Sequence, residues 1–254
     1  MKRKYFIAIA LILIIISCSK SSDSPNPDPD PADTTIVPAG NFYKLIRVEN
    51  FLGDTSDSNP TTAKNTLLYS LENNTPRTNN YQKTSKWDLA FGDLYASFLA
   101  GNNGTDVNNY GHGTSAKGGI LILKQKFEDV VNIPADSAFK TGKNLIGTDD
   151  AGSFGVGTGW YLYDFGGDVA GDTSYDKQHV AYALGNELTL NNGNKIAART
   201  IVVRTAGGNY AKIKMISVYK DTFTRDKWFR DTPHMYFTFE YVMVPKGSTK
   251  FEIK

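Results

Sequence analysis

Arg-Thr-Ile-Val-Val-Arg-Thr-Ala-Gly-Gly-Asn-Tyr-Ala-Lys-Ile-Lys-Met-Ile-Ser-Val-Tyr (199–219) reads as two strands joined by a Gly-Gly-Asn turn. Apolar and polar residues alternate on either side of a pair of glycines, which take φ > 0 without a Cβ clash. Ala211, Ile213 and Met215 face one way, and Lys212 and Lys214 the other. Upstream lie Gly-Trp-Tyr-Leu-Tyr (159–163) and a long Gly/Asp-rich loop that contains His179. This hairpin pattern makes the chain all-β, and the rest of the sequence is read against it.

Toward the C-terminus, Met235, Phe237, Phe239, Tyr241 and Met243 line one face of a last strand that stops at Pro245. Between it and the hairpin is a charged loop, 221–232, containing Trp228 and Phe229. Toward the N-terminus, Lys86-Trp87-Asp88-Leu89-Ala90-Phe91 has period 2, with Trp87, Leu89 and Phe91 expected on one face. Gly118 to Leu123 is a continuous apolar run, as in a strand buried on both faces. Residues 41–51 alternate loosely and 67–71 form a short run. Ile133-Pro134-Ala135-Asp136-Ser137 is a turn that can start one short helix. Gly155, Gly157 and Gly159 mimic part of a dinucleotide loop, but the third glycine is misplaced and tryptophan follows instead of a helix start. Val, Ile, Tyr, Phe and Thr dominate the runs, which fits a pleated, half-buried surface. The expectation is a single antiparallel β-sandwich-like domain with long loops over 36–254, without internal repeats.

Residues 1–17 read as a signal peptide: Lys2, Arg3 and Lys4, then an apolar run from Tyr5 to Ile16, short for a membrane span. Ile-Ile-Ser-Cys (15–18) resembles a bacterial lipobox, in which the cysteine is acylated, for example with palmitate, and becomes the new N-terminus. A transmembrane anchor with an incidental Cys18 is the alternative. Residues 18–35 form a Pro/Asp/Ser-rich tether, with prolines at 25, 27, 29 and 31 favouring an extended spacer. Cys18 is the only cysteine, so no internal disulfide, cysteine nucleophile or thiolate metal site is available. The formal charge of +2 comes from the signal segment, and without Lys2, Arg3 and Lys4 the chain is near neutral. No basic block supports a nucleic-acid partner.

The three histidines, His112, His179 and His234, are too far apart for a local zinc motif. There is no Gly-x-Ser-x-Gly elbow and no P-loop, and no acid pair for glycoside hydrolysis stands out, so a binding protein is expected and not an enzyme. Asp164, Asp168, Asp172 and Asp176 recur every four residues, but Gly166, Gly167 and Gly171 argue for a loop; a calcium loop is the sharper alternative. His179, beside Tyr175, Val180 and Tyr182, is the first candidate for an axial haem ligand, and His112 the second; each also reads as a plain loop histidine. His234 reads as structural. Met215, Met235 and Met243 fall in phase with core residues. Tyr175, Trp228 and Phe229 are candidates for a partner or ligand loop, the aromatics suiting an interface anchor.

Several segments, in order, resemble the HmuY family of haem-binding envelope lipoproteins: Leu-Leu-Tyr-Ser-Leu-Glu-Asn (67–73), Lys-Trp-Asp-Leu-Ala-Phe (86–91), Lys-Gly-Gly-Ile (117–120), Gly-Trp-Tyr-Leu-Tyr (159–163), Val-Val-Arg-Thr-Ala-Gly-Gly-Asn-Tyr-Ala-Lys-Ile (202–213) and Tyr-Phe-Thr-Phe-Glu-Tyr (236–241). The resemblance implies an all-β fold of that type. It also implies an outer-membrane lipoprotein of a Gram-negative envelope that captures haem as an iron source and hands it to an outer-membrane receptor. The alternative is an envelope lipoprotein of the same fold with another ligand or a partner protein. The family's axial histidines lie between the Gly-Gly-Ile and Gly-Trp strands and just after the latter. Here 121–158 holds no histidine, and the second position falls at about Phe165, which leaves His179 as the nearby substitute.

Overall fold

The computed structural model describes residues 39–56, 59 and 62–254; the signal segment, Cys18 and the tether lie outside the described residues. The strands are β1 (Leu45–Leu52), β2 (Leu67–Ser70), β3 (Thr75–Arg77), β4 (Leu89–Gly92), β5 (Phe98–Gly101), β6 (Gly119–Leu123) and β7 (Tyr161–Asp164). They continue with β8 (Val180–Ala183), β9 (Leu188–Thr189), β10 (Lys195–Ile196), β11 (Thr200–Arg204), β12 (Tyr210–Tyr219) and β13 (His234–Val244). Among the described residues the helices are all single 3-10 turns, one of them at Asp136–Ala138, where the sequence places a short helix.

Residues 199–219 form the expected hairpin. β11 and β12 pair antiparallel with Ile201 opposite Ile213 and Val203 opposite Ala211. The Thr205 amide donates to Asn209 O at 2.8 Å across the turn, and Gly208 supplies the left-handed residue at φ +91°. The hairpin sits inside a five-stranded sheet of order β1-β13-β12-β11-β6. A second sheet has the order β3-β2-β4-β5. Every ladder in both is antiparallel.

The sheets face each other through aromatic rings. Tyr69 meets Phe239 edge-on at 5.5 Å, and Phe91 lies 4.8 Å from Phe237 and 6.1 Å from Phe239. All five residues read from the C-terminal alternation, Met235 to Met243, are in this core with Ala211, Ile213 and Met215. The fold is therefore an all-β sandwich with long loops, as the sequence indicates. The β7–β8 hairpin adds Trp160, Leu162, Val180 and Tyr182 to the same core.

Two details depart from the sequence reading. Trp87 packs with Leu68, Ala90 and Ala100 in a separate cluster, and not on the Leu89–Phe91 face. Strict alternation holds only inside a ladder, and this one starts at Leu89. The apolar run 118–123 is buried on both faces as read, Ile120 in one core cluster and Leu121 in another, although it is an edge strand of its sheet. Its edge is covered by Lys140, whose amide and carbonyl both bond Ile120. Lys212 is 5 % exposed, because residues 127–139 and Phe251 cover the outer face of the large sheet. Its ammonium donates to Phe127 O at 2.7 Å and Val130 O at 3.0 Å, which satisfies the buried charge.

Candidate functional site

Ladder disorder at one end of the large sheet makes room for a pocket. The β12–β13 register shifts between Met215 and Ser217 and again before Tyr219, which pairs with His234. Such irregularities bend a strand and re-aim its side chains. Ser217 Oγ repairs the backbone locally, accepting from Tyr219 N at 2.9 Å and donating to Thr222 O at 2.6 Å. Tyr95, His179 and Met235 all adopt left-handed backbone, at φ of 53°, 60° and 64°. Such residues are uncommon outside glycine, and they cluster at functional sites.

All three line one cavity of about 320 Å³, within the lower range of small-molecule pockets. Its wall is aromatic: Tyr95, Tyr161, Tyr163, Tyr219 and Phe237, with Met235 among them. Two imidazoles, His179 and His234, the guanidinium of Arg230, the carboxylate of Asp231 and the Ser97 hydroxyl supply the polar groups. The floor is internally bonded. Tyr161 Oη shares hydrogen bonds with Ser97 Oγ and Thr148 Oγ1, both at 2.9 Å, and Tyr219 Oη accepts from Ala181 N at 2.9 Å.

His179 and Tyr163 stand apart from that floor. Tyr163 Oη lies 2.8 Å from His179 Nδ1. Burial first, then the Arg230 charge, holds the imidazole below its usual value, so the ring is neutral at pH 7 and can act as ligand or base. Burial, with Tyr95 and Tyr161 behind it, pushes the Tyr163 phenol up to about 12. Phe165 stands edge-on to the imidazole at 4.6 Å, and the His179 amide donates to Phe165 O at 3.2 Å.

The structure brings His179 and His234 to one pocket, and leaves His112 outside it on an exposed loop. His234 is thus a pocket residue and not only a structural one; Pro233 before it gives no hint of this in sequence. Trp228 is not an exposed anchor: it is 4 % exposed, stacks on Tyr219 at 5.9 Å and donates to Thr222 O at 3.1 Å. A slot between Tyr219 and Tyr182 takes the indole, and local charge around residue 228 does not reveal it. Tyr175 and Phe229 do stay on the surface, each beneath a cation: Arg230 lies 4.3 Å over Tyr175 and Lys177 lies 3.8 Å over Phe229. Tyr163 ends the Gly-Trp-Tyr-Leu-Tyr segment, but nothing in the local sequence of Tyr163, Tyr95 or Arg230 marks a pocket role.

The first of the spaced aspartates turns inward and organises its own loop. Asp164 is fully buried and its carboxylate accepts from the amides of Asp168, Val169, Ala170 and Gly171. Among the described residues no cluster of three or more His, Cys, Asp or Glu is placed to hold a metal ion.

No protein-family model matches the sequence, and no curated protein does. The chain is similar in outline to solved structures. The apo HmuY analog (TFO) of Tannerella forsythia aligns over 80 % of this chain and 96 % of its own, at 13 % identity and a TM-score of 0.33. The roles of the residues above are therefore argued from their own geometry.

Proposed function

We propose that this chain is a cell-envelope lipoprotein of the HmuY type, anchored to the outer membrane through Cys18, that binds haem or a related porphyrin for iron acquisition. It acts by capture and hand-over to an outer-membrane receptor, and not as an enzyme. One observation carries the reading. A neutral imidazole, His179, sits beside Phe165, the position that the resemblance in segments 67–73 to 236–241 matches to a haem ligand, and it does so inside an aromatic-walled pocket. The residues suit a flat, apolar macrocycle: ring faces and a thioether for its body, and a guanidinium for an acidic edge. A porphyrin is large for the pocket. Its outer part would rest on Phe165 and Phe154, which pack edge-to-face at 5.6 Å beside His179 and Tyr163.

The test is a haemin titration of the purified protein, followed at the Soret band. The expected result is a saturable shift that His179→Ala weakens and His112→Ala leaves unchanged. A flat titration at micromolar haemin would remove the reading. A second reading has its own observation: Phe154 and Val156 are 78 % and 93 % exposed, an apolar patch suited to a partner protein. That reading survives a flat haemin titration.

A further inference from the structure

We infer that the atom of this pocket that bonds a ferric centre is the phenolic oxygen of Tyr163, with His179 Nδ1 behind it as proton acceptor, so that the site selects oxidised over reduced iron porphyrin. The inference rests on the porphyrin reading above and names the atom that carries it.

Three features of the pair point this way. First, Tyr163 projects from a paired strand, opposite Ala181 in the β7–β8 ladder, whereas His179 closes the long loop before β8. Sites on strands hold a donor atom more firmly than sites on loops. Second, the 2.8 Å Tyr163 Oη–His179 Nδ1 contact is the arrangement of a hydroxyl with its activating base. Phe165 packs edge-on against the imidazole at 4.6 Å and restrains its orientation. Third, the other pocket phenols for which a bond is described are engaged: Tyr161 with Ser97 and Thr148, and Tyr219 with the Ala181 amide. Tyr163 is joined to a base. Tyrosinate is an established axial donor to haem iron.

The step balances without a redox partner. On binding haemin, the Tyr163 O–H would give up its proton by way of His179 Nδ1 to the hydroxide on the ferric centre, which would leave as water. The phenolate oxygen would take the vacated position on iron, which stays ferric, and the imidazole would end neutral. No electron changes hands. Ferrous iron, a softer acid, gains less from an anionic oxygen, so reduction weakens the bond.

The experiment is resonance Raman and visible spectroscopy of the purified protein loaded with haemin, before and after dithionite, alongside Tyr163→Phe and His179→Ala. The expected result is a high-spin ferric adduct with phenolate vibrations and a tyrosinate charge-transfer band, and weaker retention after reduction. Tyr163→Phe should remove the signature. His179→Ala should keep it while lowering affinity by about 10–100-fold, as loss of a supporting partner does. A low-spin histidine spectrum in the unmodified protein, unaffected by Tyr163→Phe and lost in His179→Ala, would overturn the inference and leave haem binding standing. Absence of any haemin adduct would overturn both. The signature of the unmodified protein is decisive by itself, even if a variant fails to fold.

Discussion

Asp164 closes β7 with its carboxylate sealed from water, and four consecutive amides, 168–171, aim at it. Hydrogen bonds to a charged group stabilise by about 1.5–3 kcal/mol each in isolation, and they do not add fully. Asp164→Ala strips the loop of its organising acceptor and leaves buried amides without a partner. The expected loss is about 3 kcal/mol or more in urea unfolding, with faster hydrogen exchange at residues 168–171. The sequence showed aspartates at every fourth position and glycines that forbid a helix, so the loop was legible. Its cause was not. Only the first aspartate turns inward, and the choice depends on which one lies at the end of a strand. His179 tells the same story: its ring type was visible in sequence, but its neighbour Tyr163 lies sixteen residues back and becomes a neighbour only when β7 and β8 pair.

At the scale of elements, the loop between β12 and β13 is held from inside. Trp228 fills the space between Tyr219 and Tyr182. Lys177 Nζ donates to Trp228 O at 2.8 Å, and Arg230 N donates to Asp176 O at 2.8 Å. These contacts tie the loop to the one that ends in His179. Trp228→Ala should cost about 3–5 kcal/mol, as for other buried aromatic truncations. It should also raise hydrogen exchange at the Arg230 and Thr232 amides. A change confined to a binding measurement, with stability intact, would contradict the buried position. Strands β12 and β13 were legible because alternation is local. The pocket was not, because its wall is assembled from residues near 95, 161, 179, 219 and 230–237, and no window of sequence spans them.

Across the whole molecule, one buried acid pair couples the two sheets to pH. Asp88, just before β4, accepts from Ala206 N at 3.0 Å and Glu72 N at 3.2 Å. Glu72, just beyond β2, accepts from Thr205 and, at 2.6 Å, from Asn209 in the β11–β12 turn. Burial first, and the Glu72 charge second, push Asp88 up to about 7. A carboxyl raised in the folded state favours folding most below its unfolded value near 4, and that contribution is lost as pH rises through 7. The urea midpoint should therefore fall between pH 5 and pH 8, other groups aside. Glu72→Gln, which preserves the acceptor oxygen and removes the repulsion, should flatten the fall. An unchanged slope in that variant would show that the pair does not govern it.

β13 begins in the pocket at His234 and runs to Val244, about 30 Å away at the usual rise per residue of an extended strand. At that far end Tyr43 N bonds Met243 O, and Lys254 N bonds Tyr43 O, both at 2.8 Å. Tyr43 and residue 254 thus lie together at one end of β13, with the pocket at the other. A protein immobilised on a sensor chip through residue 254 keeps the pocket end of β13 away from the support, and a bulky fusion at residue 254 crowds the support instead of the cargo.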